Sequence, residues 1–136
     1  MERALAQLWL RATRRVESSF RDTAAHPSPT QLQLLELLDR GSLRLMAAAA
    51  LLGVSGATCT RAVDAAARRG WLTKVRDPQD RRVVWVRITP EGHAARRGME
   101  AILEMHLERL LRGAAAEERA AWERVLGQMG DAPGEE

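Results

Sequence analysis

Leu5, Leu8, Trp9, Ala12, Val16 and Phe20 recur at intervals of three and four residues. That period predicts an amphipathic helix over the first segment, ending near "DTAAHPSP". "SPTQ" at 28–31 then reads as a capping box, with Ser28 accepting a backbone N–H, Gln31 reaching back and Pro29 at the first helical position. The helix it opens is expected to place Leu34, Leu35, Leu37 and Leu38 inside and to end at Gly41. "RLMAAAALLG" is a short alanine-rich helix closed by Gly53. In "GVSGATCTRAVDAAARRG" Ser55 is the natural N-cap and Gly70 the natural stop. Cys59, Ala62, Val63 and Ala66 form a narrow apolar stripe there, and Ala57, Thr58, Thr60, Arg61, Asp64 and Arg68 lie opposite. Two short helices joined by a tight glycine-containing turn describe a helix-turn-helix.

The period then changes to two. "VRDPQDRRVVWVRITPEG" predicts a hairpin, with one strand near 71–76, a turn across "DPQD" and a second strand near 83–89 whose Val84, Val86 and Ile88 share a face. Trp85 falls on the opposite face, either as a partly exposed wall against arginine side chains or as a cover for a neighbouring element. Thr89 and Pro90 open a long helix lined by Met99, Leu103, Leu107 and Leu110. An alanine-rich joint at 113–116 leads to a last helix carrying Trp122, Val125, Leu126 and Met129, and "DAPGEE" reads as a frayed acidic tail. The expected class is mainly α with a small β-wing: a winged helix-turn-helix flanked by N- and C-terminal helices, in a single domain over 1–136.

Charge sharpens this picture. The net charge is +3, but it is unevenly distributed. Residues 1–39 hold five Arg against five acids, 40–97 twelve Lys/Arg against four acids, 98–114 two against three, and 115–136 two against six. The net +8 of the middle segment coincides with the helix-turn-helix and the hairpin, so that part is suited to a phosphate backbone. A recognition helix enters the major groove, while arginines at a hairpin tip match the enhanced negative potential of a narrow minor groove.

The residues "PTQLQLLELL", "LGVSGATCTRAVDAAARRGWL", "RDPQDRR" and "VRITPEG", in that order, resemble the MarR (multiple antibiotic resistance regulator) family of bacterial transcription factors. The resemblance runs over roughly residues 28–95, and one helix before and two after fit the family pattern. It implies a homodimer whose first and last two helices interlock (1–25 and 90–130). The winged motif of each subunit (28–90) would sit on half of a pseudo-palindromic operator in double-stranded DNA. It also implies a regulator, usually a repressor, relieved by a small-molecule effector or by oxidation. Carried over by position, Thr58, Thr60 and Arg61 become recognition-helix contacts and Arg81 and Arg82 wing contacts. Asp80 becomes the wing aspartate that steadies an arginine, with Asp64 able to do similar work from the helix. Departures from the family pattern are Met46, Ala47 and Ala50, which lack hydroxyls in the first motif helix, Gly56 and Ala57, and Trp85 in place of a third basic residue.

Other chemistry is thinly represented. His26, His93 and His106 lack ligand spacing, and one cysteine permits neither an internal disulfide nor a cysteine-rich zinc site, so no metal is expected; without a Ser/His/Asp order, a glycine-rich phosphate loop or a placed carboxylate pair, no cofactor or catalytic residue is expected either. Cys59 reads as a core residue, with a redox-responsive repressor as the alternative. Trp9 and Trp122 read as dimer core before effector-pocket lining. A winged module that binds protein and no longer reads DNA is the remaining rival. No membrane span or signal peptide is expected, which places the protein in the cytoplasm.

Overall fold

The computed structural model describes residues 1–21 and 25–131. Its order is α1 (Glu2–Arg21), α2 (Pro29–Leu38), β1 (Leu43–Arg44), α3 (Leu45–Leu52), α4 (Gly56–Arg68), β2 (Leu72–Arg76), β3 (Val84–Ile88), α5 (Pro90–Leu110) and α6 (Ala116–Asp131). The end of the first helix, expected near residues 22–29, lies partly outside the described residues, as does the acidic tail beyond Asp131.

Local signals set most boundaries. Ser28 Oγ accepts the Gln31 N–H at 3.3 Å, and Gln31 Oε1 accepts the Ser28 N–H at 2.9 Å, completing the capping box. α2 stops at Leu38, short of the expected glycine, because Asp39 already supplies the C-cap. Gly41, at φ 141°, then turns the chain into β1. Within α2 the buried leucines are 32, 34, 35 and 38, while Leu37 is only half-buried. The two-residue β1 has no counterpart among the expected elements. It pairs antiparallel with β3 (Leu43↔Val86, Arg44↔Trp85) and makes the hairpin a three-stranded sheet of order β1-β3-β2. Two residues carry no readable alternation; their strand character comes from the neighbouring edge.

The core lies within the winged motif. Leu34, Leu35 and Leu38 of α2 meet Ala48 and Ala49 of α3, Cys59, Val63 and Ala66 of α4, then Trp71, Leu72 and Val86. Small residues on α3 and α4 let two short helices approach closely over the α2 leucines. The α5 N-terminus is tied to this unit by Thr89, whose N–H donates to the Trp71 carbonyl at 3.0 Å and whose hydroxyl donates to that of Gly70 at 2.5 Å. Asp39 at the end of α2 receives His93 Nδ1 at 3.0 Å and Arg96 at 3.4 Å from α5.

The flanking helices differ. On α1 the stripe Leu5, Leu8, Trp9 and Val16 stays 38–58% exposed, and Leu107 and Leu110 of α5 and Trp122, Val125 and Leu126 of α6 stay 45–50% exposed. Apolar stripes of this length facing water mark an association surface. Among the described residues, no single helix is long and apolar enough to cross a membrane.

Candidate nucleic-acid interface

The second helix of the helix-turn-helix, α4, is started by Ser55, whose Oγ accepts the Thr58 N–H at 3.1 Å. The left-handed Gly53 (φ 65°) ends α3 and lets the chain reverse within three residues. Thr60 Oγ1 bonds back to the Gly56 carbonyl at 2.8 Å. Thr58 Oγ1 meets the Ser55 hydroxyl at 3.0 Å and the Arg61 guanidinium at 3.4 Å. Thr60 and Arg61 are exposed and Thr58 is half-buried, all three on the first two turns of α4.

α4 is coupled to the hairpin by an ion pair from Asp64 to Lys74, the only lysine in the chain. The partner is thus a β2 lysine and not an arginine, because β2 runs directly alongside α4. This exposed pair adds to the packing of Val63 and Ala66 in one core with Trp71, Leu72 and Val86, which holds α4 and the hairpin in a common frame.

The wing loop is organised by two aspartates. Asp77 Oδ1 accepts the N–H groups of Gln79 at 2.8 Å and Asp80 at 3.3 Å, while its other oxygen receives the Trp85 indole N–H at 3.1 Å. The Asp77 N–H donates to the Val83 carbonyl at 2.9 Å, closing the loop. Asp80 accepts the Arg82 backbone N–H and Nε, each at 3.1 Å, and takes a second guanidinium nitrogen at 3.3 Å. Asp80 therefore steadies Arg82, whose side chain remains 92% exposed. Arg76 donates to the Arg81 carbonyl at 3.0 Å, leaving the exposed Arg81 side chain directed by a fixed backbone.

Hydrogen bonding sets the ionisation of both carboxyls. The Trp85 N–H, then the Gln79 amide, pulls Asp77 below the usual carboxylate range, and the Arg82 guanidinium does the same to Asp80. Since both folded values are depressed, this contribution to wing order is complete at neutral pH and is lost as pH falls through them.

Cys59 is fully buried, with Sγ 3.7 Å from the Leu45 carbonyl oxygen, and burial raises its thiol pKa. A protonated, enclosed thiol is a poor target for peroxide. Peroxide treatment is accordingly expected to leave DNA affinity unchanged; a drop in affinity that Cys59→Ser abolishes would restore the redox reading.

Sequence reasoning does not single out Lys74, Asp77 or Arg44 as site residues, and it leaves Trp85 between two roles. The Asp-Pro pair is a legible turn signal. The partners of Trp85 and Asp64 are not legible, because they depend on strand register. For Trp85 the structure favours the wall: the Arg44 guanidinium lies over its ring, 5.3 Å from the centroid.

Comparison with known proteins agrees with this geometry. The MarR family model matches residues 27–83. The chain is 32% identical over 117 residues to the uncharacterized HTH-type transcriptional regulator YkoM of Bacillus subtilis (strain 168), covering 82% of this chain and 74% of that protein. BpsR of Bordetella bronchiseptica, whose DNA binding is regulated by 6-hydroxynicotinic acid, superposes with a TM-score of 0.77 at 27% identity, over 94% of this chain and 99% of that one. The PcaV transcriptional regulator of Streptomyces coelicolor gives 0.76 at 25% identity, over 93% and 94%. Apo MarR of E. coli, at 19% identity and a TM-score of 0.76 over 95% of each chain, shares the fold. With its winged helix-turn-helix, basic wing and these relatives, the chain belongs to the MarR family and is a DNA-binding transcriptional regulator.

Proposed function

We propose that the protein acts in the cytoplasm as a homodimeric repressor that binds a pseudo-palindromic operator and is released by a small-molecule effector. The observation that carries this reading is the coupling of α4, with Thr60 and Arg61 exposed, to a wing presenting Arg81 and Arg82 through the Asp64–Lys74 pair. One rigid unit then offers a major-groove element and a minor-groove element together. The apolar stripes on α1, α5 and α6 are the matching surface for a second copy, and two-fold symmetry places two such units about one helical turn apart.

Effector control needs a site that senses the relation between the dimerising and reading parts. An open cleft of about 380 Å³ lies between the end of α1 (Phe20, Arg21), His26 ahead of α2, Gln31 in its first turn and Arg69 beyond α4. A ligand there would bias the angle of α1 against the winged unit, and a differential affinity of a few kcal/mol is enough to empty the operator.

Selecting genomic fragments that the purified protein retains at moderate salt, and mapping the protected region, tests this reading. A short inverted repeat is the expected result; retention of random fragments would overturn sequence-specific repression. Once an operator is known, Arg61→Ala is expected to relax the preference at one position per half-site, costing about 1–3 kcal/mol against the best sequence, whereas non-specific affinity falls far less. An unchanged preference would remove Arg61 from the base-reading residues.

A further inference from the structure

Trp85 sits on the central strand β3, directly paired with Arg44 of β1 and Val75 of β2. Strand alternation puts it on the face opposite the fully buried Val86. There it touches two separate parts of the chain. The Arg44 guanidinium, at the N-cap of α3, lies over the ring. At the ring edge the indole N–H donates to Asp77, the residue that gathers the Gln79 and Asp80 amides of the wing loop. An aliphatic residue would cover comparable apolar surface on this half-buried face. The tryptophan combines an edge donor that reaches back eight residues with a face that accepts a cation.

We propose that Trp85 is a positioning residue for DNA binding: held between Arg44 and Asp77, it fixes the wing loop relative to the helix-turn-helix, so that Arg81, Arg82 and α4 meet the duplex together. This rests on the DNA-binding reading above. A two-stranded ribbon ending in a loop of residues 77–83 is marginally ordered by itself. Ordering it before DNA arrives removes an entropic cost from the binding step. Arg44 lies near enough to Asp77 and Asp80 to favour both carboxylates, so the bracket is electrostatically continuous with the wing.

Two substitutions cut the same hydrogen bond from either end. Trp85→Phe keeps a ring for Arg44 and removes the donor. Asp77→Asn keeps an oxygen for the Gln79 and Asp80 amides and removes the acceptor for the indole. Binding would be measured by anisotropy on a fluorescein-labelled mixed-sequence duplex of about 30 base pairs. Each substitution is expected to weaken binding about three- to ten-fold, and the double variant no more than the worse single one. In an Arg81→Ala/Arg82→Ala background, Trp85→Phe should cost nothing further. In the free protein, amides 79–82 should exchange hydrogen faster in Trp85→Phe, while those of α4 are unaffected.

Undiminished binding by Trp85→Phe, or an equal loss with and without the wing arginines, would overturn the proposal; the latter would make Trp85 a general stabiliser. Unaltered exchange at 79–82 would do so independently of DNA. If the unsubstituted protein fails to bind the duplex, the DNA-binding reading falls first and this inference with it.

Discussion

Gly92→Ala is expected to destabilise the protein by about 3 kcal/mol or more, which for a chain of this size lowers the Tm by roughly 10 °C. A Cβ at position 92 would lie 2.0 Å from the Trp71 carbonyl oxygen, 2.9 Å from its carbon and 2.8 Å from Ile88 Cγ1. The usual escape, a small backbone shift, is closed. The Trp71 carbonyl is held by the Thr89 N–H at 3.0 Å, and the Gly92 N–H is held by the Thr89 hydroxyl at 3.0 Å. Moving α5 away would break its N-cap and both ties to residues 70–71, the junction through which α5 reaches the winged unit. Thermal unfolding of the variant followed by circular dichroism checks this, and a Tm within about 2–3 °C of the unsubstituted protein would show that the junction yields. The glycine is required here for close approach; Gly127 and Gly130 on α6 meet nothing within 4 Å, and alanine there should be tolerated.

The largest effect on binding is expected from Arg81→Ala combined with Arg82→Ala. Affinity for duplex DNA of any sequence should fall by roughly a hundred-fold at low salt, and the slope of log K against log salt should flatten by about 0.9 for every phosphate no longer neutralised. Stability should barely change, because both side chains are exposed and the Asp80–Arg82 pair is solvent-screened. Salt titrations of both proteins on one duplex check the prediction. An unchanged slope would mean that the wing tip does not meet phosphate, and a large fall in Tm would mean that the arginines support the fold. The contrast with Arg61→Ala separates electrostatic from sequence-reading roles within the same interface.

Most of the helical frame is legible because its determinants are local. The capping box at 28–31, Ser55 and Thr89 as N-caps, Gly53 as a left-handed stop and the prolines at 29 and 90 all act over one helical turn. The wing is legible for a similar reason, since an Asp-Pro turn between β-branched runs leaves few alternatives. Legibility fails where the partner is remote in sequence. β1 exists only because β3 presents an edge to it. Asp64, which the family resemblance offers as a second arginine-steadying carboxylate, meets Lys74, ten residues on, because strand register places that lysine beside α4.

By itself the sequence determined the order of helices, the hairpin with Arg81 and Arg82 at its tip, and the concentration of positive charge between residues 40 and 97, while Thr58, Thr60 and Arg61 are named by position through the family resemblance. Helix order, hairpin and charge follow from periodicity, caps and composition, which are short-range properties of the chain. Tertiary structure alone decided how those pieces are held relative to one another: Lys74 on Asp64, Trp85 between Arg44 and Asp77, and Gly92 against the Trp71 carbonyl. Each depends on a strand register or a helix approach set by the whole core, where a shift of one residue turns a side chain to the opposite face.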